Sequence, residues 1–136
     1  MNNLVSGLPL NRRQLATLIA IGIALWFGAA MMLRMLGPMG IYEGSSRIWL
    51  YLLVIPGTLP FVPMTAWLAA LATDQKAIGL AIVTASAMLV DGIALAWFPR
   101  TYADTTGLVA AAGAVILWGA GVGIVLGMMF NRTRAR

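Results

Sequence analysis

"KAIGLAIVTASAMLVDGIALAWF" (Lys76–Phe98) is apolar or small-polar from end to end, apart from its opening lysine and one acid, Asp91. At ~1.5 Å per residue, a helix of this length covers the ~30 Å hydrocarbon core of a bilayer. The stretch reads as a membrane span, and its neighbours read the same way.

Upstream, "QLATLIAIGIALWFGAAMMLRML" (about 14–36) gives a first span behind Arg12 and Arg13. Its apolar run is too long for a signal-peptide core, and no convincing cleavage site follows. "RIWLYLLVIPGTLPFVPMTAWLAAL" (about 47–71) gives a second span, and about 107–130 a fourth after the 76–98 span. The linkers "GPMGIYEGSS", "ATDQK" and "PRTYADTT" are short and rich in turn formers. Short linkers make successive helices antiparallel neighbours. The expected fold is an all-α integral membrane four-helix bundle, up-down-up-down, forming one membrane domain over 1–136.

Composition agrees. Of 136 residues, 61% are hydrophobic and 10% charged, against about a quarter charged in soluble domains. The formal charge of +5 comes from bases at the ends of apolar runs, so anchoring explains it better than nucleic-acid binding. Arg12, Arg13, Lys76, Arg132, Arg134 and Arg136 fall on one side, and Arg34, Arg47 and Arg100 on the other. The positive-inside rule then puts both termini in the cytoplasm. Tyr42, Trp49, Tyr51, Trp97 and Tyr102 lie near the outer boundary and Trp67 near the inner one, as in an interfacial aromatic belt. Trp26 and Trp118 fall mid-span and are expected to pack between helices.

The sequence has no cysteine and no histidine. That excludes disulfides, Cys/His zinc sites, iron–sulfur clusters and the commonest general base. The acids are Glu43, Asp74, Asp91 and Asp104, and no two share a span. There is no paired-carboxylate motif, no Ser–His pair and no phosphate loop. The expectation is a protein that is not an enzyme and holds no metal or cofactor.

Asp91 is the leading site candidate. Spacings of three and four put Ala77, Ala81, Thr84, Ala87, Asp91 and Ala94 on one small-residue stripe, while Ile78, Ile82, Leu89 and Ile93 lie opposite. Small stripes mark helix contact in membranes, so Asp91 should face protein or a water-filled cavity. An acid in a span costs roughly 2.5–3.5 kcal/mol near the centre on insertion scales, and something must offset that. It either binds a proton or cation, or holds helices in register. Arg34, near the same surface, is the candidate partner; its side chain meets Asp91 or reaches the headgroups.

Pro56, Gly57, Pro60 and Pro63 should kink or break the second span at about the depth of Asp91. Broken spans leave carbonyls that can line a binding site. Gly119, Gly123 and Gly127 form overlapping GxxxG patterns suited to close helix packing, inside the bundle or between subunits.

"ALWFGAAMMLRMLGP", "MLVDGIALAWFPRTY" and "AVILWGAGVGIVL" together resemble an uncharacterised family of small four-span bacterial inner-membrane proteins. The most specific part is "DGIALAWFP" followed closely by Tyr102. The resemblance implies the four-span fold and the bacterial cytoplasmic membrane, and it carries no established activity. The functional expectation is a proton- or cation-linked transporter or channel acting as a homo-oligomer in the lipid bilayer. The alternative is an accessory or assembly subunit that docks on partner membrane subunits.

Overall fold

A computed structural model describes residues 7–132. Among them the chain is helical, with no strand. The helices are α1 (Arg12–Leu36), α2 (Gly44–Thr58), α3 (Phe61–Leu68), α4 (Lys76–Trp97) and α5 (Thr106–Met129), with single 3₁₀ turns at Gly37–Met39 and Pro99–Thr101.

The helix starts follow from local chemistry. α1 begins two residues before the expected Gln14, because Asn11 and Gln14 form a capping box: the Asn11 side chain accepts from the Gln14 amide at 2.8 Å, and the Gln14 side chain accepts from the Asn11 amide at 3.0 Å. Thr105 caps α5 by accepting from the Leu108 amide at 3.4 Å.

The second apolar segment is broken, as its prolines require. α2 ends at Thr58, Leu59 and Pro60 turn, and α3 starts at Phe61. Pro56 sits inside α2 and Pro60 caps α3. Proline has no N–H to donate, so other donors cover for it. The Leu59 carbonyl, which Pro63 cannot meet, accepts the Val62 amide at 3.2 Å; at the end of α2 the Thr58 hydroxyl bonds back to the Val54 carbonyl at 2.6 Å.

α3 stops three residues short of the expected Leu71. Ala70 takes a left-handed φ of 48°; the Leu71 amide then donates to the Ala66 carbonyl at 2.8 Å and the Ala70 amide to Trp67 at 3.2 Å. This is a Schellman stop built on alanine instead of glycine. The freed Ala70 carbonyl accepts from Gln14 Nε2 at 3.0 Å, which ties the end of α3 to the start of α1. At the same end the Asn131 side chain accepts from the Ala77 amide at 3.0 Å, joining the start of α4 to the residues after α5.

α4 is the central element, packed on α1, α5 and α3. Its closest crossings occur at glycines. A Cβ on Gly22 of α1 would lie 2.5 Å from the Val83 carbonyl oxygen and 2.8 Å from Ser86 Cβ. A Cβ on Gly127 of α5 would lie 2.7 Å from Leu80 Cβ, and one on Gly123 would lie 3.4 Å from the Thr84 hydroxyl. α2 packs on α5 and has no buried residue. Large apolar side chains such as Phe27, Leu53, Leu89, Ile93 and Leu117 are exposed. Four segments are long and apolar enough to cross a membrane: Arg12–Met39, Gly44–Leu68, Lys76–Trp97 and Thr106–Met129.

Candidate functional site

Asp91 lies in the last third of α4 and is 8% exposed. Of its expected stripe, Thr84 and Ala94 are buried with it, while Leu89 and Ile93 on the opposite face are exposed. Its partner comes from the turn that follows α4. Pro99 cannot continue the helix, so the chain reverses there, with the Tyr102 amide donating to the Pro99 carbonyl at 3.0 Å. The reversal drives the Tyr102 ring back among Ala30, Leu33, Ala94, Ala112 and Val115, where it is fully buried.

Tyr102 therefore does not stand in an outer aromatic belt, and Tyr42 is buried too. A tyrosine at a helix end reads from sequence as an interfacial anchor; the turn at Pro99 sends this one inward. The spacing of Asp91 from Tyr102 across a proline is the signal that could have revealed it.

The Tyr102 hydroxyl donates to Asp91 Oδ1 and accepts from Trp26 Nε1 of α1 at 2.8 Å. The order is fixed by chemistry. An indole can only donate, so the phenol oxygen must accept from it, and the single phenol hydrogen is left for the carboxyl group. Three elements, α1, α4 and the Pro99–Thr101 turn, thus meet at one polar chain inside an apolar bundle. Burial pushes the Tyr102 phenol well above the ordinary tyrosine range, and donation to Asp91 adds to the shift, while the Trp26 N–H opposes it. Burial alone raises Tyr42. The second mid-span tryptophan, Trp118, donates to the Tyr51 carbonyl at 3.0 Å and joins α5 to α2.

Arg34 does not meet Asp91, nor is it left to reach the headgroups alone. Its guanidinium donates to the Arg100 carbonyl and lies 3.2 Å from Asp104 Oδ1, at the exposed end of the bundle. Arg34 and Asp91 share an end of the molecule by sequence depth, but Asp104, in the loop next to Arg34, is the better-placed acid. Asp91 makes no ion pair among the described residues.

The proline cluster is not part of the same site. Pro56, Gly57, Pro60 and Pro63 are all exposed on the outer side of α2 and α3. Depth placed them level with Asp91; their direction around the bundle carries them away from it. Gly123 and Gly127 are buried against α4, and a Cβ on the half-buried Gly119 would lie 3.7 Å from Val54 Cγ1 of α2, so all three pack toward helices of the same chain. Gly22, at the tightest crossing, belongs to no GxxxG pattern and was not among the expected packing glycines.

Beside Asp91 a groove of about 510 Å³ runs between α4 and α5. Met88, Gly92 and Leu95 line one wall and Ala110, Gly113 and Leu117 the other. Asp91 is the one ionisable residue lining it. Among the described residues no group of three or more acidic or metal-ligating side chains gathers to hold a metal.

Fold and site together define a helical bundle with four segments fit to cross a membrane and one interior carboxyl group held by a chain of neutral donors. No family model, curated protein or solved structure matches the chain.

Proposed function

We propose that the chain is a small multi-pass protein of the bacterial inner membrane. Its four spans alternate in direction, with both termini in the cytoplasm. It acts as a homo-oligomeric proton- or cation-linked transporter or channel, with Asp91 as the group that binds and releases the proton or cation.

One observation carries this reading. Asp91 is buried in an apolar bundle, oriented by neutral Tyr102 and Trp26, and is not paired with a cation among the described residues. A hydrogen-bond chain of this kind also ties helices together, but a carboxyl group with no basic partner is not locked in its ionised form. A neutral donor chain can accommodate the group with or without its proton. The adjoining groove supplies a route to it. The helices of one chain enclose little interior, so an assembly of copies supplies the remainder of a pathway.

The second reading, an accessory subunit of a larger membrane complex, draws on α2, which has no buried residue and presents its whole outer face. It draws nothing from Gly123 and Gly127, because α4 already covers them.

The test is proton uptake by vesicles containing the purified protein and a trapped pH dye, driven by a potassium diffusion potential. The wild type should acidify the lumen and Asp91→Asn should not. Equal uptake by both, or none by either together with no sodium or potassium flux in the same vesicles, overturns the proposal.

A further inference from the structure

Resting on the reading of Asp91 as the ion-binding group, we infer that the groove between α4 and α5 is a binding site for amphipathic organic cations, amines or onium ions carrying an apolar body.

The walls of the groove set the ligand class. Met88, Leu95 and Leu117 supply apolar surface, and Gly92 and Gly113 keep the channel open. A Cβ on Gly92 would meet nothing within 4 Å, and one on Gly113 would meet only Leu95 Cδ1, at 3.8 Å. The groove has a volume of about 510 Å³ and is open along its outer side, where Gly92, Ala110 and Leu117 are exposed, so it covers one face of an apolar body. At one point of this apolar surface stands a carboxyl group, more than nine-tenths buried.

Other occupants fit less well. A bare metal cation requires several oxygen ligands in place of its water. No lining residue besides Asp91 has a polar side chain, and backbone carbonyls of helix interiors are committed to the i→i−4 ladder. A neutral lipid chain matches the walls while the carboxyl group keeps its proton, but offers no counter-charge once that proton leaves. A cation with an apolar body satisfies both. The charge meets Asp91, whose Oδ1 is already steadied by Tyr102, and the body covers the groove.

The test uses tetraphenylphosphonium, a permanent apolar cation, binding to the full chain in lipid nanodiscs. Saturable binding to the wild type is expected, weakened about tenfold or more in Asp91→Asn, which removes the charge. Gly113→Leu, which fills the groove while leaving Asp91, should weaken it similarly. Asp91→Glu keeps the charge and should keep binding, which controls for misfolding. Binding that persists in Asp91→Asn, or no binding to the wild type, overturns the inference. Proton uptake measured on the same preparations separates the two ideas. Asp91-dependent uptake without phosphonium binding overturns the ligand class and leaves the transport reading standing. Asp91-dependent binding without uptake, and without sodium or potassium flux, supports the site and overturns transport.

Discussion

Tyr102 reaches back across the end of α4 to donate its phenol hydrogen to Asp91, while Trp26 on α1 donates to the same phenol oxygen at 2.8 Å. One tyrosine therefore serves two partners, the buried Asp91 and the half-buried Trp26, and its removal orphans both. Tyr102→Phe is expected to destabilise the folded protein by on the order of 2 kcal/mol, since each buried polar group left unpaired costs about 1–3 kcal/mol. Trp26→Phe keeps the Tyr102–Asp91 bond, so its loss of polar pairing should be smaller. Denaturant titration in a mild detergent ranks the two; a Tyr102→Phe variant as stable as the wild type contradicts the chain of bonds.

Alkaline pH should unfold the bundle. The phenols of Tyr42 and Tyr102 are raised above the ordinary tyrosine value by burial. In the unfolded chain they ionise at about pH 10. Stability due to these shifts is thus complete below about pH 10 and is lost as pH climbs from there toward the folded values. Phenolate absorbance from these two residues should appear together with loss of helical circular dichroism. Tyr42→Phe and Tyr102→Phe should each flatten the alkaline fall in stability relative to neutral pH.

The helix crossings should tolerate no methyl group where backbones touch. Gly22→Ala places a carbon 2.5 Å from the Val83 carbonyl oxygen, and Gly127→Ala one 2.7 Å from Leu80 Cβ. Each should cost about 1–3 kcal/mol, the usual penalty of overpacking. Gly28→Ala and Gly121→Ala meet open space and should be neutral or stabilising by up to about 1 kcal/mol through helix propensity. Unfolding midpoints of the four variants check the ordering.

Much of this fold is legible in the chain because a span is written in length and composition, and both survive without tertiary information. The break at Pro60 is legible for the same reason, since a missing N–H is a local fact. Direction around a helix axis is less so. Depth along a span placed Arg34 near the same surface as Asp91 and the prolines close to its level, yet Arg34 turns to Asp104 and the prolines turn outward. The small-residue stripe did orient Asp91, because it reports azimuth as well as depth. Tyr102 escaped because aromatic residues at helix ends usually face the interface, and only the chain reversal at Pro99 sends it inward. Gly22 escaped because its partner surface, Val83 and Ser86, lies on another helix.

Ala70 offers a gain in place of a loss. It holds a φ of 48° to stop α3, a conformation that costs an L-residue roughly 1–2 kcal/mol and glycine little. Ala70→Gly should therefore stabilise the bundle by about 1 kcal/mol, offset in part by the greater freedom of glycine in the unfolded chain. A rise in the thermal midpoint checks it.

A transport role for Asp91 requires that it exchange its proton while the protein remains folded. Infrared difference spectroscopy of the protein in lipid nanodiscs, cycled between acid and mildly alkaline buffer kept below about pH 10, observes this directly through the carbonyl stretch of a protonated carboxyl group. A reversible band present in the wild type, absent in Asp91→Asn and altered by Tyr102→Phe is the predicted result. A spectrum in which Asp91→Asn removes no pH-dependent band would show that Asp91 keeps one protonation state and merely ties α4 to the turn that follows it.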